Sequence, residues 1–251
     1  MKIESSPSRM IGLWFVVLLL AGCAAPGTRG VRDGTPGVNV ADAALDGGMP
    51  DTALNVTRSI LLTNPRDVGA LERQGAALAQ LNQPDAAIEA WHRALAVNPA
   101  ATGALLGLGR LELSRGSAAA AERSFAKLLA SKPADPAALI DLGVAMDMQG
   151  RHDEAQAIYA TLLRADPNDR GASVNLALSL SLSGQAGRSV EMLRGPGSQP
   201  DAPPRVRQDL AVALALSGNP REAEKLLLTD LSPSDAAAAL AGYQALDVRM
   251  K

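Results

Sequence analysis

The chain has 251 residues, of which 47% are hydrophobic and only 2% aromatic, so its core must be built mainly from Ala and Leu. Those are the strongest helix formers, β-branched runs are scarce, and the composition predicts an all-α fold. A net charge of −2 with both signs interspersed offers no basic face to nucleic acid, and a single cysteine excludes an internal disulfide or a cysteine-built zinc site.

At the N-terminus, Lys2 and Arg9 stand against one acid, Glu4, ahead of an apolar run from Met10 to Leu20. That run is too short for the roughly 20 residues of a membrane-spanning helix and has the pattern of a secretory signal. It ends in Leu20-Ala21-Gly22-Cys23, which resembles the lipobox of bacterial lipoproteins. The resemblance implies removal of residues 1–22 and acylation of Cys23, a lipid anchor worth about 0.8 kcal/mol per buried methylene. Position 24 is Ala rather than the Asp that usually retains such lipoproteins in the inner membrane. The implied location is the cell envelope, at the periplasmic face of the outer membrane. Residues 23–37, rich in Gly and Pro, read as the lipidated cysteine and a flexible tether.

From residue 38 to 233 a 34-residue period governs the sequence. Pro65, Pro99, Pro133 and Pro167 keep it, as do the bulky Trp91, Phe125, Tyr159, Leu193 and Leu227. So do two small columns, Gly75, Gly109, Gly143, Ala177, Ala211 and Ala53, Ala87, Ala121, Ala155, Ser189, Ala223, and the turn glycines Gly116, Gly150, Gly184 and Gly218. Each column answers one need of a helix-turn-helix unit: close approach, a plug between neighbours, a left-handed turn, a stop after the second helix. The columns resemble the tetratricopeptide repeat (TPR) consensus. That resemblance implies a right-handed superhelix of about six repeats, at 38–67, 68–101, 102–135, 136–169, 170–203 and 204–233, followed by a capping helix over 234–251. The first repeat has Thr57 at its plug position and reads as a frayed terminal unit. The fifth reads as cut short by the Gly- and Pro-rich stretch 195–204, a loop or hinge. Ser234 or Asp235 is the expected N-cap of the closing helix.

Nothing in the sequence assembles into a nucleophile, base and orienting group, and no metal, cofactor or small-molecule substrate is expected. His92 and His152, the only histidines, fall in different repeats. In TPR proteins the first helices line the ligand-facing surface, and the resemblance places a peptide-binding groove at Glu72, Ala76, Leu106, Arg110, Leu113, Ile140, Val144, Met148, Val174, Leu178, Leu182, Gln208 and Val212. Asp141, Asn175 and Asp209 repeat every 34 residues beside that stripe and suit bonding to a peptide backbone. The stripe is apolar enough either to hold a peptide or to be buried by packing between repeats.

The stretch from Arg205 to Leu246 resembles the end of the TadD-type lipoproteins of tight-adherence (Flp) pilus systems. Arg207, Gln208, Leu210 and Ala211 fit, as do Glu222, Ala223 and Glu224, then Asp230, Leu231 and Pro233, and the run Ala236 to Ala239. Asp209 and Ala239 stand where that family tends to have Asn. The resemblance implies a non-enzymatic, pilotin-like factor whose partner is the pilus secretin or another pilus-assembly component. A general periplasmic TPR scaffold or adaptor, in envelope biogenesis or cell-wall enzyme regulation, is the alternative.

Overall fold

The computed structural model describes residues 36–250. The signal segment, Cys23 and the tether up to residue 35 lie outside the described residues.

Thirteen helices make up the described chain. In order they are α1 (Pro36–Asp46), α2 (Pro50–Thr63), α3 (Val68–Gln80), α4 (Pro84–Val97), α5 (Thr102–Ser114), α6 (Ala118–Ser131), α7 (Pro136–Asp147), α8 (His152–Ala165), α9 (Arg170–Leu182), α10 (Ala186–Gly197), α11 (Pro204–Leu216), α12 (Pro220–Leu227) and α13 (Pro233–Met250). The all-α class expected from composition is the class observed. The described residues divide between two compact units, 36–145 and 146–250. In the first, each of α1 to α5 packs on its successor, and α3 also touches both α1 and α5. In the second, α8 packs on α9, α9 on α10, α10 on α11 and α11 on α12; α9 also touches α11, and α13 packs on α11 and α12.

Local chemistry sets these boundaries. Each first-to-second helix turn passes through one residue in the left-handed region: Gly48, Gly116, Gly150, Gly184, Gly218 and, at the same point of the second repeat, Asn82 with φ 56°. Asparagine is the side chain that tolerates this region best, so the column holds without its glycine. After each of these residues a backbone N–H reaches back to a carbonyl five residues earlier, as Ser117 does to Glu112 at 2.8 Å, and closes the helix end. The four 34-spaced prolines directly follow the C-caps of second helices, Asn64, Asn98, Lys132 and Asp166. A second set, Pro50, Pro84 and Pro220, opens second helices at the first turn, where no N–H is needed.

Packing follows the small and bulky columns. A Cβ added to Gly75 would fall 2.3 Å from Nε1 of Trp91, and one added to Gly107 would fall 2.4 Å from the other edge of the same ring. The indole is therefore held between α3 and α5, its N–H donating to the Glu72 carbonyl at 3.2 Å. Phe125 abuts Gly109 in the same way, and Phe125, Tyr159, Leu193 and Leu227 are all buried.

The structure corrects four details. Pro36 and Gly37, read as tether, form the first turn of α1, with Gly37 against Ile60. The first repeat is a formed helix pair rather than a frayed one: Thr57 is fully buried, and its hydroxyl is satisfied by the Leu54 carbonyl at 3.0 Å. Helix α10 runs through Pro196 to Gly197, because a proline this near the C-terminus sacrifices one backbone bond and Gly197 lets the last turn lie against Leu210. The closing helix starts at Pro233 with Ser232 as its cap: the Ser232 hydroxyl accepts from the Asp235 N–H at 3.2 Å and donates to the Asp235 carboxylate at 2.6 Å.

Candidate protein-binding surface

In the first unit, the stripe residues Leu113, Ile140, Asp141 and Val144 are buried, while Ala76, Leu106 and Arg110 are half-buried. The polar members of the stripe are engaged with the protein itself. Arg110 donates from Nε to Asp141 at 2.6 Å. Burial pushes the Asp141 carboxyl above its ordinary range, with the Arg110 charge pulling it back. One repeat pair earlier, Arg73 grips Asp42 with two bonds, at 2.8 and 3.1 Å.

Glu72 has a different task from the one its position suggested. Its Oε1 accepts from the backbone N–H groups of Gly103 and Ala104, at 2.8 and 3.2 Å, while Oε2 accepts from Arg73. Three other first helices carry their own caps: Asp67, Asp135 and Asp169 accept from Ala70, Ala138 and Ala172. In α5 that position is Ala101, which has no side-chain acceptor, and Glu72 of the preceding repeat supplies the missing one.

In the second unit, Val174, Leu178 and Val212 are buried, and Met148, Leu182 and Gln208 are half-buried. The first helix α9 packs laterally on α11, and the closing helix α13 packs on α11 as well. Asn175 is 2% exposed, and neither its Nδ2 nor its Oδ1 has a hydrogen-bond partner among the described residues. Such a group costs about 1–3 kcal/mol until something bonds it. Asp209, 1% exposed, is reached from its own helix, by Arg205 Nε at 3.2 Å. Burial raises its carboxyl to about 6 against the pull of Arg205. Tyr243 on α13 is buried beside this pair, its hydroxyl raised to about 12 by burial and then by the Asp209 charge.

A buried polar cluster in this unit was not singled out in the sequence. Asp147 accepts from Ser179 Oγ at 2.6 Å and from the Tyr159 hydroxyl at 3.1 Å, and it lies 2.8 Å from His152 Nδ1. The signal was available: a tyrosine among Trp, Phe and Leu at a buried plug position needs a partner for its hydroxyl. The cluster is not a catalytic relay, because serine and histidine both bond the aspartate and not each other. His92 is exposed. Among the described residues no group of three or more His, Cys, Asp or Glu side chains is placed to hold a metal ion, and no helix is long and apolar enough to cross a membrane.

Sequence models of the tetratricopeptide repeat match residues 73–136 and 112–178. Over residues 73–178 the chain consists of TPR repeats. Solved structures share the fold at low identity. A TPR protein from Parabacteroides merdae is 18% identical, covers 82% of each chain and superposes with a TM-score of 0.63. PilW, described as a widely conserved type IV pilus biogenesis factor, is 22% identical over 77% of this chain and 91% of its own, with a TM-score of 0.65. A thermophilic TPR protein of Thermus thermophilus is 22% identical over 71% and 99%, with a TM-score of 0.57. No curated protein matches the sequence.

Proposed function

We propose that this TPR protein is an adaptor that holds a segment of another protein on its first-helix face. Asn175 carries the reading. Its buried amide has both a donor and an acceptor without partners among the described residues, and it sits on the first helix α9, two turns before the half-buried Leu182. A peptide backbone offers one N–H and one C=O per residue, the complement of a side-chain amide. Binding would require the covered stripe to loosen locally, and relief of the amide would offset part of that cost.

The narrower reading is a TadD-type lipoprotein in tight-adherence pilus assembly, pilotin-like toward the secretin. It rests on the match of residues 205–246 to the end of that family. In this reading Cys23 is acylated and fixes the repeats at the outer membrane, where tethering raises the effective concentration of the partner and modest affinity suffices. The broader reading, an envelope TPR scaffold, needs only the helix face.

One experiment separates them: the amount of heat-resistant secretin multimer in outer-membrane fractions of cells lacking the gene, complemented with the wild-type chain or with Asn175→Leu. Loss of multimer without the protein, restored by wild type but not by Asn175→Leu, is the expected result. An unchanged multimer in the deletion ends the pilotin reading. Full rescue by a stably folded Asn175→Leu chain ends the role given to Asn175.

A further inference from the structure

The first helices carry one surface, and a second one lies elsewhere in the first unit. Helices α4, α5 and α6 line a cleft of about 710 Å³. Its floor is apolar, formed by Ile88, Leu95, Leu105, Leu108 and Leu111. Its rim is basic: Arg115, Arg123 and Lys127 face it against a single acid, Glu112, on a chain whose net charge is −2. Glu112 already accepts from Ser124 at 2.9 Å. Among the described residues Arg115 is tied only to the exposed Asp85, a pair that solvent weakens and another carboxylate can replace. Arg123 and Lys127, one helical turn apart on α6, are exposed and form no ion pair among the described residues.

The geometry points to this cleft as the docking site for an acidic amphipathic helix of a partner protein. An apolar floor takes leucine-like side chains spaced at i, i+3 or i+4 and i+7, and a cationic rim takes carboxylates flanking them. The walls are helices whose backbone groups are internally bonded, so the cleft has no sheet edge to pair with an extended strand. A ligand here must satisfy its own backbone, which a helix does. The chain's own segment between Cys23 and Pro36 is a poor occupant, since it carries Arg29 and Arg32 against Asp33 alone and would meet like charge.

The test uses the purified full chain and two fluorescein-labelled synthetic helices of about 18 residues, long enough to fold. Both carry Leu at the helical spacing; one has Glu and the other Lys at the remaining positions. Fluorescence anisotropy should show saturable binding of the Glu helix only. Arg123→Glu with Lys127→Glu should weaken the Glu helix about tenfold or more and admit the Lys helix. Ala96→Trp, at an exposed residue lining the cleft, should block both while leaving the thermal melt unchanged, and Asn175→Leu should leave binding as it is. The proposal is overturned if neither helix binds, if both bind equally, or if the variants change nothing. A concentration-dependent dimer of the chain that Ala96→Trp abolishes also overturns it, by giving the cleft to a second copy.

Discussion

Asp141 accepts its 2.6 Å bond from Arg110 at the two positions that Arg73 and Asp42 occupy 68 residues earlier, with the charges exchanged. The site in the fold is the same; only the direction of the pair differs. Replacing Arg110 with Met leaves a buried carboxylate alone and should cost about 1–3 kcal/mol in urea denaturation. The exchanged double variant, Arg110→Asp with Asp141→Arg, reproduces the arrangement of the earlier pair and should recover most of that loss. If it is no better than the single variant, the two sites are not equivalent.

Because Glu72 caps a helix of the next repeat, its removal should be felt at α5 rather than in its own helix. Glu72→Ala should cost about 1 kcal/mol, the usual worth of a lost cap. Installing the cap that the other repeats have, by Ala101→Asp, should make that loss nearly vanish in the double variant. Thermal melting of the four proteins closes the cycle.

The indole of Trp91 leaves no room on either side. Gly75→Ala or Gly107→Ala drives a methyl group into the ring and should destabilise by about 1–3 kcal/mol. Gly187 is the control: it is helical, and a Cβ there meets nothing within 4 Å. Gly187→Ala should stabilise by about 0.5–1 kcal/mol through helix propensity alone.

Asp209 makes stability depend on pH in the direction opposite to an ordinary paired carboxylate. Its folded value, about 6, lies above the unfolded one near 3.8, so the native state holds a proton that the unfolded chain releases. Stability should therefore fall as pH rises from about 4 to about 7, by up to the order of 3 kcal/mol. Asp209→Asn keeps the shape without the charge, so it should flatten this segment of the Tm profile and raise Tm at pH 7. A Tm that rises over the same interval in the wild-type chain would contradict the assignment.

The helix pairs were legible in the sequence because each column reports one local steric demand, and a demand of that kind survives in every repeat: Gly75 is small because Trp91 is large. Polar pairing was far less legible. Arg110 and Asp141 lie in the stripe that the repeat pattern assigns to a ligand, yet they bond each other, since a 31-residue separation links neighbouring repeats without belonging to either one's pattern. The role of Glu72 is hidden for the same reason. Its partners, the N–H groups of Gly103 and Ala104, are backbone, and backbone leaves no mark in a sequence beyond the absence of an acceptor at Ala101. The left-handed turn at Asn82 was within reach, one period before Gly116, for a reader who admits asparagine into a glycine column. Burial of Val174, Leu178 and Val212 was the undecided half of the reading, because an apolar stripe looks alike whether a peptide or a neighbouring helix covers it.

The exchanged ion pairs also bear on how such a chain can change in evolution. Repeats of equal length invite unequal recombination, which removes whole periods without disturbing the columns that make helices. Excision of the two repeats 68–135 would leave every turn, plug and proline in register, yet it would set Asp42 against Asp141, two acids where each now meets an arginine. The repeats of the first unit are thus alike in shape but not interchangeable in order, and their sequence along the chain is held by charge where geometry alone would permit a shorter protein.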